Sequence, residues 1–76
     1  MWVRCYDDRL VNLDGTREIY IRDTETEMRR HHVVASTKDA RYLLSKHESH
    51  AEAQAAINYI AVAMAHGLPL CDLSED

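Results

Sequence analysis

The sequence predicts an α+β fold, in which an antiparallel β-meander of four or five strands is followed by one C-terminal α-helix packed on the sheet. Two observations predict this fold. Between residues 2 and 44, short segments with alternating apolar and polar side chains are separated by polar turns, a pattern typical of antiparallel strands with short connections. Between Ser49 and Gly67 there is no Gly or Pro, as expected for one continuous helix. We therefore predict one domain over residues 1–67 and an acidic C-terminal tail over residues 68–76.

The first part of the predicted sheet contains three strands. Residues 2–6 alternate in character and are followed by a polar turn of two aspartates. Residues 10–13 form the second strand, and the dipeptide Asp14-Gly15 that follows it is typical of a tight β-hairpin. Residues 17–22 alternate between polar or amphipathic and β-branched side chains, which indicates a half-buried antiparallel strand.

The second part of the predicted sheet begins after an exposed hairpin tip at residues 23–27, which contain no apolar side chain. The chain returns through residues 29–36, and residues 41–44 are apolar enough for a final strand. The apolar side chains of these strands are expected to meet one face of the helix. The predicted core comprises Val3, Val11, Leu13, Ile19, Ile21 and Leu43 on the strands and Ile57, Ile60 and Met64 on the helix.

The helix has clear start and stop signals. Ser49 and Glu52 fit a capping box, in which each side chain bonds a backbone amide at the other end of the box. Gly67 is suited to the left-handed residue that ends a helix, and Pro69 prevents continuation. These signals predict a helix from about residue 50 to residue 66. Its sheet-facing stripe is predicted to contain Ala53, Ile57, Ile60, Ala61 and Met64.

The rest of the helix surface is unusually poor in charge. Residues 53–65 contain no charged side chain and six alanines. One explanation is an alanine-rich solvent face, which helix propensity tolerates. The alternative, which we favour, is a second buried face across a two-fold axis of a homodimer. The predicted interface residues are Ala55, Tyr59, Val62 and His66.

Charge and composition exclude several function classes. The net charge is −4, of which −3 comes from the last five residues, so the remainder is too balanced for general nucleic-acid binding. The longest stretch without formal charge is interrupted by polar residues, Gly and Pro, so no membrane span is expected. There is no N-terminal signal segment, which predicts a cytoplasmic protein. Cys5 and Cys71 are then expected to be reduced thiols.

A cationic segment precedes the apolar part of the fourth strand. Arg29 and His31 share one face and Arg30 and His32 share the other, because side chains alternate along a strand. One such pair could bind a phosphate or carboxylate, with Lys38 and Arg41 near it across the next turn. The simpler alternative is that these four residues only decorate the end of a sheet.

No catalytic constellation stands out. In the segment His47-Glu48-Ser49-His50 the histidines are three residues apart, whereas the zinc-protease motif requires a spacing of four on one helix. A structural metal at His47 and His50, helped by His31 or His32, is a minor alternative. We therefore predict no enzyme activity, no cofactor and no metal site.

Most of residues 1–64 resemble a group of small uncharacterised proteins of bacteria and their phages, which open with a Met-Trp-(Ile/Val)-Arg strand. The resemblance implies a β-meander followed by one helix and transfers no catalytic residue. The matching segments are residues 1–4, 10–13, 19–21 and 42–44 and the Ala-Glu-Ala-Gln start of the helix.

Two function classes follow from these observations. The first is a homo-oligomeric, non-enzymatic interaction module that binds and modulates a host protein, for example as a phage-encoded inhibitor of a host defence system. A protein partner would use an exposed strand edge or an aromatic patch, with Trp2, Tyr6 and Tyr20 as candidates. The second is an oligomeric protein that binds or sequesters a small anionic ligand such as a signalling nucleotide.

Overall fold

The computed structural model describes residues 1–26 and 28–74. Part of the predicted hairpin tip (Glu27) and the acidic end of the predicted tail (Glu75 and Asp76) therefore lie outside the described residues. The fold is α+β, and its helix packs on a β-sheet, as predicted. The elements are β1 (Trp2–Arg4), β2 (Leu10–Asn12), β3 (Glu18–Asp23), β4 (His31–Ser36), β5 (Arg41–His47), α1 (His50–Ala65) and β6 (Leu70–Asp72).

The described strands form two sheets, where the sequence predicted a single meander. The meander sheet has the order β3-β4-β5 and is antiparallel, whereas the small sheet has the order β2-β1-β6. The turn at Asp14-Gly15 forms, with Gly15 at φ 83° and the Thr16 N–H bonded to the Leu13 carbonyl at 3.0 Å. It does not close a hairpin, because β2 pairs with β1 and β3 pairs with β4. The turn instead connects the two sheets.

A β-bulge in β5 corrects one predicted core position. Val33 is paired with Ser45 and Val34 with Leu43, so Leu44 is the additional residue on β5. Leu44 is fully buried in the core, whereas Leu43 is half-buried. A bulge changes the side to which the following residues point, and alternation alone predicted the wrong leucine.

The helix begins as the capping signals predict. The Ser49 hydroxyl accepts a hydrogen bond from the Glu52 backbone amide at 3.1 Å. The Glu52 carboxylate in turn accepts from the Glu48 amide at 3.2 Å. The first bond satisfies a helix amide that has no partner within the helix. The second bonds the amide of the residue before the N-cap, one position earlier than in a regular capping box.

The helix ends in a Schellman motif. Gly67 has φ 66°, its amide bonds the Met64 carbonyl at 3.0 Å, and the Leu68 amide bonds the Ala63 carbonyl at 3.0 Å. A left-handed residue is required at this position, which explains the glycine. The motif turns the chain back towards β1.

The buried stripe of the helix is rotated relative to the prediction. Ile60 is buried and Ile57 is partly buried, but Ala61 and Met64 are exposed. Three alanines face the sheet, and their small side chains allow the helix to lie close to it. The buried helix residues are Ala53, Ala56, Ile60 and Ala63.

Residues 68–76, predicted as a tail, contain a strand of the small sheet. β6 lies parallel to β1, and Cys71 is paired with Val3. The Leu73 amide donates to the Arg4 carbonyl at 2.8 Å. Cys71 is buried in the same core as the helix, so β6 covers one end of that core.

Both cysteines are free and buried. Burial raises the pKa of the Cys5 thiol, with Arg9 opposing and Asp7 adding to the effect. Burial also raises the pKa of the Cys71 thiol, and the Asp72 carboxylate raises it further. Both thiols therefore act as small apolar core groups.

Candidate functional site

The outer face of the small sheet carries an exposed cluster of three large apolar side chains, with Arg4, Asn12 and Asp72 on the same face. Trp2 is paired with Leu70 across the β1–β6 junction, and Leu10 lies on the neighbouring strand β2. Their exposed fractions are 47% for Trp2, 52% for Leu10 and 42% for Leu70. Side chains alternate along a strand, so these residues face outward while Val3 and Cys71 face the core.

This apolar cluster extends onto the end of the helix and the loop after it. Trp2 and Pro69 line two shallow cavities of about 500 and 360 Å³, which therefore adjoin each other. Both Met64 and Leu68 are about half exposed. The resulting Trp2 surface comprises Trp2, Leu10, Met64, Leu68, Pro69 and Leu70.

Arg4 is a charged residue that borders the Trp2 surface. It lines the cavity formed by Trp2, Leu10 and Leu70, and its Nε lies 3.9 Å from an oxygen of Asp72. At this distance and exposure the ion pair contributes little to stability. The guanidinium therefore remains available to a second carboxylate.

The Asp72 carboxylate is bonded mainly by Ser74, which follows β6 in the chain. The Ser74 hydroxyl and amide donate to the Asp72 carboxylate at 2.6 and 2.9 Å. These hydrogen bonds lower the pKa of Asp72, and Arg4 lowers it further. Asp72 is therefore ionised at neutral pH without depending on Arg4.

The predicted dimer face lies on the exposed side of the helix. Tyr59 and Val62 are 54% and 57% exposed, and Ala55 and His66 are also exposed. The four residues share one face of α1, directly beside the buried stripe. The structure thus leaves this face unpacked within the monomer.

The predicted anion-binding residues do not converge on one site. The His31 ring pairs with the Asp23 carboxylate at 2.7 Å. His32 is buried, and its ring bonds the Arg29 carbonyl at 3.1 Å. Arg30 is exposed. His31 and His32 are consecutive on β4, so they point to opposite faces, and both already have protein partners. Arg29 and Arg30 precede the strand.

Arg29 lies at a small cavity of mixed charge. The cavity measures about 290 Å³ and is also lined by Lys46, His47, Glu48 and Glu52. The two carboxylates equal the formal charges of Arg29 and Lys46, which leaves no excess positive charge from these four residues for an anion. Lys38 and Arg41, expected nearby, lie at the opposite end of the meander sheet, because His31 pairs with His47 at one end and Ser36 with Arg41 at the other.

Three histidines meet near the start of the helix. His31 and His47 are cross-strand neighbours, and the His31 and His50 rings contact edge to face with centroids 6.2 Å apart. The His47 ring bonds the buried Ser45 hydroxyl at 2.8 Å. Within residues 1–26 and 28–74, no three His, Cys, Asp or Glu side chains are placed to hold a metal ion. His31 and His47 are instead each bonded to a neighbouring side chain, those of Asp23 and Ser45.

Sequence reasoning identified Trp2 as a candidate but missed the rest of its surface. Leu68, Pro69 and Leu70 belong to the segment predicted as a tail. The signal that could have located them is the short apolar run at residues 68–73, which only Asp72 interrupts and which is compatible with a short strand.

Comparison of the chain with protein-family models, with curated proteins and with solved structures finds no match. In the part of the chain that the structure describes, no helix is both long and apolar enough to cross a membrane.

Proposed function

We propose that the chain is a non-enzymatic interaction module that forms a homodimer through its helix and docks a partner protein on the Trp2 surface. The observation that carries the proposal is the exposed apolar cluster of Trp2, Leu10 and Leu70. Contiguous apolar side chains on the outside of a small protein are typical of interaction sites. Tryptophan in particular dominates the binding energy of many interfaces.

The partner's chemistry follows from the composition of the surface. Its contact segment is apolar, because the two adjoining cavities are lined mainly by Trp2, Leu, Met and Pro side chains. It also carries a carboxylate for Arg4, whose present partner, Asp72, is 3.9 Å away. A desolvated arginine–carboxylate pair at the edge of an apolar contact would add specificity.

The biological role follows from the resemblance to small bacterial and phage proteins. A chain of this kind would dock on a host protein and modulate it, for example as an inhibitor of a host defence system. Docking through a rigid sheet face requires no catalytic residue in the module.

The homodimer part of the proposal rests on the helix face containing Tyr59 and Val62. A two-fold axis brings each side chain close to its own copy, so a charged face would repel itself. Residues 53–65 carry no charge, which makes this face compatible with self-association. Ala55 would allow the two helices to approach closely.

Photo-crosslinking tests the docking surface. Benzoylphenylalanine is placed at Leu10 or Leu70, with Arg22 on the exposed edge strand β3 as control, in cells that naturally express the chain. We expect one discrete adduct with another protein from Leu10 and Leu70 and none from Arg22. The crosslinked protein is then identified and purified for affinity measurements.

In the reconstituted pair, Trp2→Ala is expected to raise the Kd at least ~30-fold, as expected for a hot-spot residue. Asn12→Ala, on the same outer face and directly opposite Trp2, should change it by less than about threefold. A Kd that is unaffected by Trp2→Ala would contradict docking on this surface. Adducts only with a second copy of the chain would do so as well.

The dimer is tested by light scattering at tens of micromolar. The parent is expected to show about twice the chain mass of 8.8 kDa, and Val62→Glu is expected to shift it towards monomer. The substitution places two carboxylates near each other in a desolvated interface. Ala61→Glu adds the same charge to an exposed position on another side of the helix and should remain dimeric. A strictly monomeric parent, or equal dissociation by both variants, would refute this interface.

A further inference from the structure

A second surface lies at the end of the meander sheet furthest from the histidine cluster. The start of β3 and the β4–β5 turn enclose a groove of about 740 Å³, a size typical of small-molecule sites. Three cationic side chains line it, from Arg17, Lys38 and Arg41. We call it the Arg17 groove; its other lining residues are Glu18, Ser36, Thr37, Asp39 and Ala40.

The three cations of the Arg17 groove form no ion pair with any residue that the structure describes. Elsewhere Arg9 pairs with Asp7 at 2.7 Å and Arg4 pairs with Asp72 at 3.9 Å. Within residues 1–26 and 28–74, by contrast, Arg17, Lys38 and Arg41 form no ion pair within 4.0 Å. Glu18 and Asp39 also line the groove but lie within 4.0 Å of none of these cationic groups, so an excess of one positive charge remains that a bound anion can neutralise.

The backbone that carries these cations is held in place. The Arg17 amide bonds the Ser36 carbonyl at 2.8 Å, which ties the start of β3 to the end of β4. The turn is closed by the Thr37 amide to the Ala40 carbonyl at 2.8 Å and by the Ala40 amide to the Thr37 hydroxyl at 3.1 Å. The groove is thus formed before any ligand arrives.

Further hydrogen-bond donors in the groove are uncommitted. Within the described part of the chain, the backbone amides of Lys38 and Asp39 at the tip of the turn have no acceptor. The Ser36 hydroxyl likewise makes no hydrogen bond there. These neutral donors would complement the cations in binding phosphate oxygens.

We propose that the Arg17 groove binds the phosphate group of a small phosphate monoester that carries hydroxyl groups, such as a sugar phosphate. The Arg17 and Arg41 guanidinium groups bond phosphate oxygens in pairs, and Lys38 adds a point charge. The Glu18 and Asp39 carboxylates accept hydrogen bonds from the ligand's hydroxyl groups. The same carboxylates leave the groove only one net positive charge, so its attraction for a long polyanion is weak. This binding does not depend on the Trp2 surface or on the helix interface.

The test is a titration followed by ¹H–¹⁵N NMR of the full chain in low salt. The probes are inorganic phosphate, ribose 5-phosphate and ribose. We expect ribose 5-phosphate to shift the amides of residues 36–41 in a saturable manner and to bind more tightly than phosphate, while ribose causes no shift. Lys38→Gln/Arg41→Gln should weaken ribose 5-phosphate binding at least ~30-fold, since charge-assisted hydrogen bonds are lost.

The control removes two cations elsewhere on the same sheet. Arg22 and Arg30 are exposed and form no ion pair within the described residues. Arg22→Gln/Arg30→Gln therefore changes the net charge equally and should alter the affinity by less than about threefold. Three outcomes would overturn the proposal: no saturable shift at millimolar ribose 5-phosphate, shifts away from residues 36–41, or equal weakening by both double variants.

Discussion

Ile60→Asp is expected to unfold the domain at room temperature. Ile60 is 1% exposed and contacts the core shared by the helix and both sheets. The change removes a large apolar side chain and buries an unpaired carboxylate, at a cost of about 4 kcal/mol or more. A domain of this size has roughly 3–5 kcal/mol from its core, so the loss approaches the whole stability. Far-UV circular dichroism with thermal and urea unfolding measures it.

Two further variants keep this prediction testable if Ile60→Asp cannot be purified. Ala61→Asp adds the same carboxylate at the next, exposed position and should leave the melting temperature within a few degrees of the parent. Ile60→Ala only truncates the side chain and should reduce the free energy of unfolding by about 2–5 kcal/mol. If Ile60→Asp melts like the parent, the helix does not bury this face.

Ending the chain after Gly67 is expected to destabilise the fold nearly as strongly. The truncation removes β6, so β1 loses its parallel partner. Cys71, which is paired with Val3, is also lost from the core. The lost burial of Cys71 and Leu73 and the lost strand hydrogen bonds amount to about 4 kcal/mol. Urea unfolding followed by Trp2 fluorescence and circular dichroism measures the change.

The matched control for this truncation ends the chain after Ser74. It retains β6 and the hydrogen bonds from Ser74 to Asp72, and should unfold at the same urea concentration as the full chain. Thiol labelling gives a second measurement, because native Cys5 should become reactive only in the shorter truncation. If both truncations are as stable as the parent, β6 does not contribute to the domain.

Local signals predicted most of the elements correctly. The capping pair Ser49 and Glu52 and the terminating Gly67 are the strongest examples, because each acts through backbone groups within a few residues. Alternation likewise placed Val3 and Val11 in the core, where the structure buries both. These features depend on contacts that the local sequence already contains.

The errors occur where distant segments compete for the same partner. Asp14-Gly15 makes its turn, but the strands beside it pair elsewhere. Leu44 replaces Leu43 in the core because a bulge opposite Val33 and Val34 changes the register. Met64 is exposed because the helix rotates its small alanine side towards the sheet. Strand pairing, the position of the bulge and the rotation of the helix cannot be predicted from a few neighbouring residues alone.

For both candidate surfaces, the sequence predicted some of the residues, and strand pairing decided which residues lie beside them. Alternation already placed Trp2 on the outward face of β1, but its apolar surface is completed by Leu70, whose strand forms only by pairing across the fold. Lys38 and Arg41 were recognised as cationic, yet strand register brings them to Arg17 and away from Arg29.

The sequence by itself determined the α+β class, the helix with both of its ends, and the separation of the His31 and His32 side chains onto two faces of β4. Hydrophobic periodicity and helix capping depend only on residues close in sequence, so the sequence alone is enough to predict them. Only the tertiary structure decided that there are two sheets, that residues 70–72 form a strand, and which exposed side chains are neighbours. Strand pairing between distant segments is selected by the total burial and backbone hydrogen bonding of the whole domain, so it cannot be inferred from either partner alone.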